Sequence, residues 1–203
     1  MTIRKGQPWA VPRPLPPDAE EVTSDAELAA LVTAARSSGD PPPVALLGGD
    51  LYRTLGGTGD RRRLEQGTAV AFTLDVATAS LDGGPEHVFV AHLAARRALW
   101  AGPFAVAMNA GWLGPWYLGP RAHPNDGLLD VTEGRLPPVQ RLLARQRART
   151  GTHLPHPALR TSRVAAVDLE FDRSVAVRLD SRSVGRARRI AVRCVPDTVT
   201  CWV

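Results

Sequence analysis

Apolar residues alternate with polar ones over most of the chain beyond residue 68. Val70, Phe72, Leu74 and Val76 mark a half-buried strand within 69–81, and a partner strand over 86–93 closes a hairpin around Asp82-Gly83-Gly84. Phe104, Val106 and Met108 mark another strand. Four more are predicted at 163–171, 174–180, 187–195 and 198–203, the first two from Val164 and Ala166 and from Val175, Val177 and Leu179. Helical spacing occurs in two places. Leu28, Leu31, Val32 and Ala35 share one face of a helix over 26–37, with Ser24 or Asp25 as its cap and Gly39 and the proline run 41–43 as its end. Residues 44–47 then form a short apolar strand. Residues 138–148 form a second helix with Val139, Leu142 and Leu143 on one side and Arg141, Arg145 and Arg149 in a row on another.

The pattern predicts an α+β fold. An antiparallel, two-layer, sandwich-like β domain spans 66–203, and a small truncated α/β unit, helix–strand–helix, spans 1–65 behind a proline-rich arm over 1–20. Trp9 is the arm's candidate anchor. Cys194 and Cys201 fall on one apolar face of a hairpin expected to turn at Pro196-Asp197, as diagonal neighbours roughly 7–8 Å apart, too far for an easy disulfide. They read as reduced, buried thiols.

Composition narrows the class. An apolar share of 44% and a charged share of 22% suit a folded globular domain, which excludes a disordered tail. No run of 18 apolar residues predicts a membrane span, and residues 1–18 lack the apolar core of a signal peptide. The expectation is a cytoplasmic protein, free or peripheral to a membrane. The net charge is +5, and Lys5 is the only lysine, so arginine supplies the positive charge. Arginine forks suit phosphates on nucleotides, lipid headgroups or nucleic acid, although a genomic bias toward arginine gives the same count. The helix over 138–148 either lies on an anionic membrane or is an ordinary surface helix. A basic β domain could also bind nucleic acid, but no aromatic RNA-binding strand motif or zinc knuckle is present.

The chemistry is concentrated in 104–131, FAVAMNAGWLGPWYLGPRAHPNDGLLDV. A strand ends at Asn109 and a loop follows with Gly111, Gly114, Gly119, Pro115 and Pro120, together with Trp112, Trp116 and Tyr117. Pro-Asn-Asp-Gly then makes a turn into Leu128-Leu129-Asp130-Val131. By pattern alone this is a hairpin with a tight turn. The block resembles the lipid-kinase branch of the diacylglycerol kinase, sphingosine kinase and NAD kinase superfamily, whose β-rich domain carries Asp-Asp-Gly-Leu-Leu-Asp-Val. Asn109, Gly111, Gly114, Pro120 and residues 125–131 match, with Asn125 at the place of the first Asp. The stretch Gly48-Gly49-Asp50-Leu51-Tyr52-Arg53-Thr54-Leu55-Gly56 can be a plain turn, the family's Gly-Gly-Asp-Gly-Thr nucleotide loop, or its Gly-Thr-Gly-Asn-Asp motif with Arg-Thr-Leu-Gly. The last fits best. The resemblance covers roughly 43–203.

The resemblance implies ATP-dependent phosphoryl transfer to a lipid or other small hydroxyl substrate. It places Gly48, Gly49, Asp50 and Arg53 near the phosphates. It assigns Mg²⁺ to the carbonyls of His123 and Leu128 and the carboxylate of Asp126, oxygen donors that suit a hard cation. Asp50 and Asp180 are the candidate catalytic residues, and Trp112, Trp116 and Tyr117 the candidate lipid pocket beside Gly49 and Asp50. His153 and His156 shape a loop. The family's base is the Glu of Asp-Gly-Glu. The aligned Asp180-Ser181-Arg182 puts Arg182 there, which cannot accept a proton. With only 47 residues ahead of Gly48, the nucleotide half is expected to be degenerate. Three readings stand open: a kinase using another base, a homodimer or a partner chain; a noncatalytic lipid-, nucleotide- or protein-binding member; and a nucleic-acid-binding domain, which ranks last.

Overall fold

The computed structural model describes residues 9–59 and 61–203, so the first eight residues of the proline-rich arm lie outside the described residues. The first unit runs β1 (Ala10–Pro12), β2 (Glu20–Val22), α1 (Asp25–Ala35), β3 (Val44–Leu46), α2 (Gly49–Thr54) and α3 (Arg62–Glu65). Then follow β4 (Val70–Leu81), β5 (Glu86–Phe89), β6 (His92–Arg96), β7 (Pro103–Met108), β8 (Trp112–Leu113), β9 (Trp116–Tyr117), β10 (Leu129–Arg135), α4 (Pro138–Arg147), β11 (Leu159–Val164), β12 (Ala166–Leu179) and β13 (Arg182–Trp202).

The main sheet follows the order β1-β4-β13-β12-β6-β7-β10-β11, with β5 on β4 and β2-β3 joining β13. Its pairs are antiparallel except β2-β3 and β3-β13. The fold is a mostly antiparallel, sandwich-like β domain with small helices, as the alternation predicts. One core lies between the layers: Leu93, Ala105, Ala107, Leu129 and Val131 meet Val175, Val177, Leu179, Ile190 and Val192. A second packs Leu28, Ala29 and Val32 of α1 and Leu51 of α2 onto Phe72, Leu74 and Val76 of β4. Each Leu, Val, Ile or Phe among them contributes about 1.5–3 kcal/mol on full burial, so α1 and α2 are held by the sheet. That sheet crosses residue 66, since Val44 pairs with Cys201 and Ala10 with Phe72. Trp9 anchors the arm against Phe72 and His123, with ring centroids 4.9 and 4.4 Å away.

Ser24 caps α1, its hydroxyl accepting the Glu27 N–H at 3.2 Å. Three expectations about the strands change. The stretches 163–171 and 174–180 are not two strands: β11 ends at Val164, and β12 runs unbroken past Asp172 and Arg173 with a register shift between Glu170 and Val175. β4 is buried on both faces in its middle, because strands and helices cover it on both sides. The hairpin expected at Pro196-Asp197 is a bulge within β13, whose pairing with β4 steps from Val195–Val76 to Val199–Leu74. Pro196 has no N–H to give the ladder, and the Asp197 N–H is taken by the Asp75 carboxylate at 2.9 Å. The cysteines therefore sit along one strand, opposite Ala77 and Phe72, rather than as diagonal neighbours. Both are free; Cys201 is buried and Cys194 half-buried.

Candidate functional site

The glycine pair ahead of α2 is shaped by close packing. Gly49 has φ +103°, and a Cβ there would lie 2.3 Å from Asp25 Oδ1; one on Gly48 would lie 2.3 Å from the Thr23 carbonyl oxygen. The Asp25 carboxylate accepts the N–H of Asp50 at 2.7 Å and of Leu51 at 3.1 Å. The amides that a phosphate could have used are thus held by the protein's own carboxylate. Burial pushes Asp25 up to about 6, against those two hydrogen bonds, and the Asp50 charge adds to the rise.

The rest of the Asp-Leu-Tyr-Arg-Thr segment clasps the glycine-rich loop. The Asp50 carboxylate accepts the Gly114 N–H at 2.9 and 3.0 Å. Arg53 donates to the Gly114 carbonyl at 3.2 Å and lays its guanidinium 3.2 Å from the Trp112 ring centroid. Thr54 Oγ1 accepts the Gly111 N–H at 3.0 Å. The two stretches that carry the resemblance therefore meet in space, through polar atoms of one filling the hydrogen-bonding needs of the other.

Asp180 lies beside this clasp and is buried. Its carboxylate accepts the N–H groups of Val90, Ala91 and His92 at 2.8–3.0 Å. Burial pushes it up to about 7, with the three amides opposing and the Asp25 charge adding. Asp25, Gly49, Asp50, Gly114, Asp180 and Ser181 border a cavity of about 300 Å³. His92 Nδ1 is buried without a hydrogen bond, 3.6 Å from Asp50 Oδ2. Burial holds this imidazole well below the usual histidine value, and the Asp50 charge offsets only part of that. Arg182 is exposed at the start of β13, after a turn whose two central residues, Asp180 and Ser181, have φ +46° and +64°.

The 121–131 loop is tied to Asp75. Its carboxylate accepts the Gly127 N–H at 2.7 Å as well as the Asp197 N–H. Asn125 Nδ2 donates to Asp197 Oδ1 at 3.2 Å. Asp126 accepts the Leu128 N–H at 3.0 Å and pairs with the Arg163 guanidinium, whose Nε also lies 3.3 Å from Asp130. Among the described residues no group of three or more His, Cys, Asp or Glu side chains could hold a metal. Asp126 is thus engaged by Arg163 and by the Leu128 N–H, so a cation bound by its carboxylate would compete with the guanidinium.

The three aromatics part company. β8 and β9 pair as a small hairpin in which the Trp112 and Tyr117 rings meet at a tilt, 46° between planes and 4.9 Å between centroids. Trp112 lies under Arg53, and Tyr117 fills the space over Gly111 and Gly151. Trp116 alone lines a large apolar cavity, of about 480 Å³, between α4 and the β7 and β10 side of the sheet. Phe104, Val106, Leu118, Leu142 and Leu159 form its apolar wall, and Arg96, Arg141, Arg145 and His153 its polar groups. His153 Nδ1 and Arg141 Nε are buried there without hydrogen bonds. His156 does shape its loop, accepting the Ala158 N–H at 3.1 Å.

Asp25, Asp75 and His92 were missed as site residues. His92 stands in the buried row of Val88 and Val90, a polar interruption that an alternation count shows but does not explain. Asp75 falls in the polar slot of β4, which reads as solvent-facing and is buried.

A family model described as the YegS C-terminal NAD kinase beta sandwich-like domain matches residues 63–203. No curated protein matches the chain. The solved structure of a "putative diacylglycerol kinase" from Bacillus anthracis str. Sterne is similar with a TM-score of 0.71 at 14% identity, over 91% of this chain and 77% of that one. A diacylglycerol kinase from the same organism gives 0.58 at 15% identity, over 79% and 66%. At such identities the likeness shows the fold.

Proposed function

The chain belongs to the YegS C-terminal NAD kinase beta sandwich-like family, and from that membership we propose that it is a lipid-binding relative of the lipid kinases that does not itself transfer phosphate. The observation that carries the binding half is the apolar cavity of about 480 Å³. Its size and lining, mostly apolar with a few convergent polar groups, are those of a small-molecule site. A hydrocarbon chain would take the Phe104–Val106–Leu159 wall, and an ester, hydroxyl or acid head the unpaired Arg141 and His153 nitrogens. Buried polar atoms without partners are costly, so a ligand that supplies partners gains from them.

The noncatalytic half rests on what the matched residues already do. A phosphate would have to take the α2 amides from Asp25, and a Mg²⁺ ion would have to take Asp126 from Arg163. Asp50 and Arg53 hold the glycine-rich loop. Asp180 spends both oxygens on backbone amides, and Arg182 stands at the base position.

Titration with a fluorescent long-chain acyl probe tests the first half, and calorimetry with ATP and Mg²⁺ the second. Saturable acyl binding is expected, lost in a cavity-filling Val106→Trp variant, together with no heat from ATP. ATP binding in the micromolar range, or acyl uptake indifferent to Val106→Trp, would overturn the corresponding half.

A further inference from the structure

The large cavity under α4 is basic as well as apolar. Among the described residues its ionisable lining groups are Arg96, Arg141, Arg145 and His153, and no Asp or Glu lines it. No ion pair among the described residues involves any of the four. Arg178 adds positive charge from beyond the wall: burial, and then the Arg178 charge, hold Arg96 below the ordinary arginine value. Cations without a counter-charge, beside low-dielectric walls, set a positive potential that favours an anion. Arg96 and Arg145 are held at aromatic faces, 4.9 Å from the Trp100 and 5.6 Å from the Trp116 ring centroids. Arg141 is held by a hydrogen bond instead, from Nη1 to the Leu99 carbonyl at 2.8 Å. That bond fixes the guanidinium plane and leaves its other edge, Nε with Nη2, the side that a carboxylate takes through two parallel hydrogen bonds. Nε is buried there without a partner. His153 Nδ1 is a second buried nitrogen on the same cavity without one, in a side chain 7% exposed.

These unpaired atoms select among head groups. A buried polar atom left unsatisfied is costly, so the ligand gains by bringing acceptors. An alcohol brings one oxygen and a proton that needs an acceptor of its own. An ester brings acceptors without charge. A phosphate monoester brings three free oxygens and close to two negative charges, more than two unpaired nitrogens satisfy. A carboxylate brings two oxygens and one charge. We propose that the cavity is the binding site of a long-chain carboxylic acid, its carboxylate on Arg141 and His153 and its chain along Phe104, Val106 and Leu159. This assignment rests on the lipid-binding reading of the cavity and narrows it from lipids at large to free acids.

Displacement of a bound fluorescent acyl probe by dodecanoate, dodecanol, methyl dodecanoate and dodecyl phosphate, which share one chain length, decides it. Dodecanoate should displace the probe at least about tenfold better than the alcohol or the ester, the advantage of charge-assisted hydrogen bonds over neutral ones. Arg141→Met keeps an apolar stem and should weaken dodecanoate about tenfold while leaving dodecanol unchanged. Arg141→Lys, which keeps the charge and loses the fork, should recover only part of that loss. His153→Leu should weaken dodecanoate severalfold. Circular dichroism checks that each variant is folded, and the wild-type ligand series stands without them. Equal displacement by acid, alcohol and ester overturns the acid assignment and leaves the lipid-binding reading in place. Dodecyl phosphate binding more tightly than dodecanoate overturns it in favour of a phosphate head. Folded variants that bind dodecanoate as the wild type does overturn the placement of the head on Arg141 and His153. No saturable probe binding, with no effect of any of the four ligands, sinks the lipid-binding reading and this assignment with it.

Discussion

The Asp25 carboxylate sits astride two early amides of α2, 2.7 Å from Asp50 N and 3.1 Å from Leu51 N. One residue after the cap of its own helix, it caps the next one. We predict that Asp25→Ala destabilises the fold by about 2–3 kcal/mol, since it strands two donors that a charged acceptor satisfied. Urea unfolding measures this. A loss under about 0.5 kcal/mol, the range of an ordinary surface change, would show that α2 does not depend on Asp25.

Gly49→Ala tests the same junction from the other side. The new Cβ would lie 2.3 Å from Asp25 Oδ1 and 2.9 Å from its backbone nitrogen, at φ +103°. We predict a loss of about 1–3 kcal/mol from overpacking. Gly56→Ala, also at positive φ but with no neighbour within 4 Å, should cost less. Equal costs at the two positions would mean that backbone conformation alone sets the requirement.

Acidity separates two groups of buried side chains. Burial pushes Asp25 and Asp75 up to about 6 and Asp180 to about 7, from an ordinary 3.8. Each holds its proton more tightly folded than unfolded, so its contribution to stability is full below pH 3.8 and is lost as pH rises through about 6 to 7. His92 and His153 act oppositely. Burial lowers both from 6.5, so the unfolded chain protonates first, and their contribution grows as pH rises toward 6.5. The two groups partly cancel. We predict that His92→Asn makes the unfolding free energy fall more steeply with pH between about 4 and 6.5 than in the wild type. Parallel profiles for the two proteins would show that His92 does not titrate differently on folding.

These residues mark the limit of what the sequence discloses. Alternation at Val70–Val76 and helical spacing at Leu28–Ala35 predict the right elements, because one-sided burial is a local property of a strand or helix. The Pro196-Asp197 bulge was not legible, because a proline and an aspartate turn a free hairpin equally well; Asp75 and Asn125, distant in sequence, hold Asp197 in the bulge. The likeness at 48–56 and 104–131 foretold two motifs in one family, and they meet through Asp50 and Gly114. It did not foretell Asp25, whose role exists only once α1 and α2 are packed together. Nor did it place the cavity, whose wall comes from β6, β7, β10, β11 and α4 at once.

Trp112 and Trp116 should behave differently, although they are four residues apart in one hairpin. Trp112 lies under the Arg53 guanidinium, away from the large cavity, which Trp116 lines. We predict that Trp112→Ala lowers stability by about 1–3 kcal/mol, through lost ring contacts and a lost cation–π pair, and leaves acyl-probe affinity unchanged. Trp116→Ala should weaken acyl binding severalfold. If Trp112→Ala instead abolished acyl binding in a folded protein, the lipid would lie beside Gly49 and Asp50 rather than under α4.

Phosphoryl transfer needs cradled phosphates, a cation and a proton acceptor, and here several of the residues that the resemblance matches have other partners. Asp25 covers the α2 amides, Arg163 pairs with Asp126, and Arg182 stands where the resemblance puts the family's base. We predict that the 203-residue chain shows no ATP-dependent phosphorylation of diacylglycerol. Loss of general-base help alone is worth on the order of 10²–10⁴ in rate, and loss of positioning adds to that. Arg182→Glu should not restore turnover, because it supplies an acceptor and leaves the amides and Asp126 occupied. Arg182→Glu combined with Asp25→Gly should also stay inactive, since Arg163 still holds Asp126. A radiolabelled ATP assay on mixed micelles reads all three proteins. Wild-type turnover on the order of 1 s⁻¹ would mean that substrate displaces Asp25 and Arg163, and that Asp180, pushed up to about 7, accepts the hydroxyl proton in place of the missing Glu.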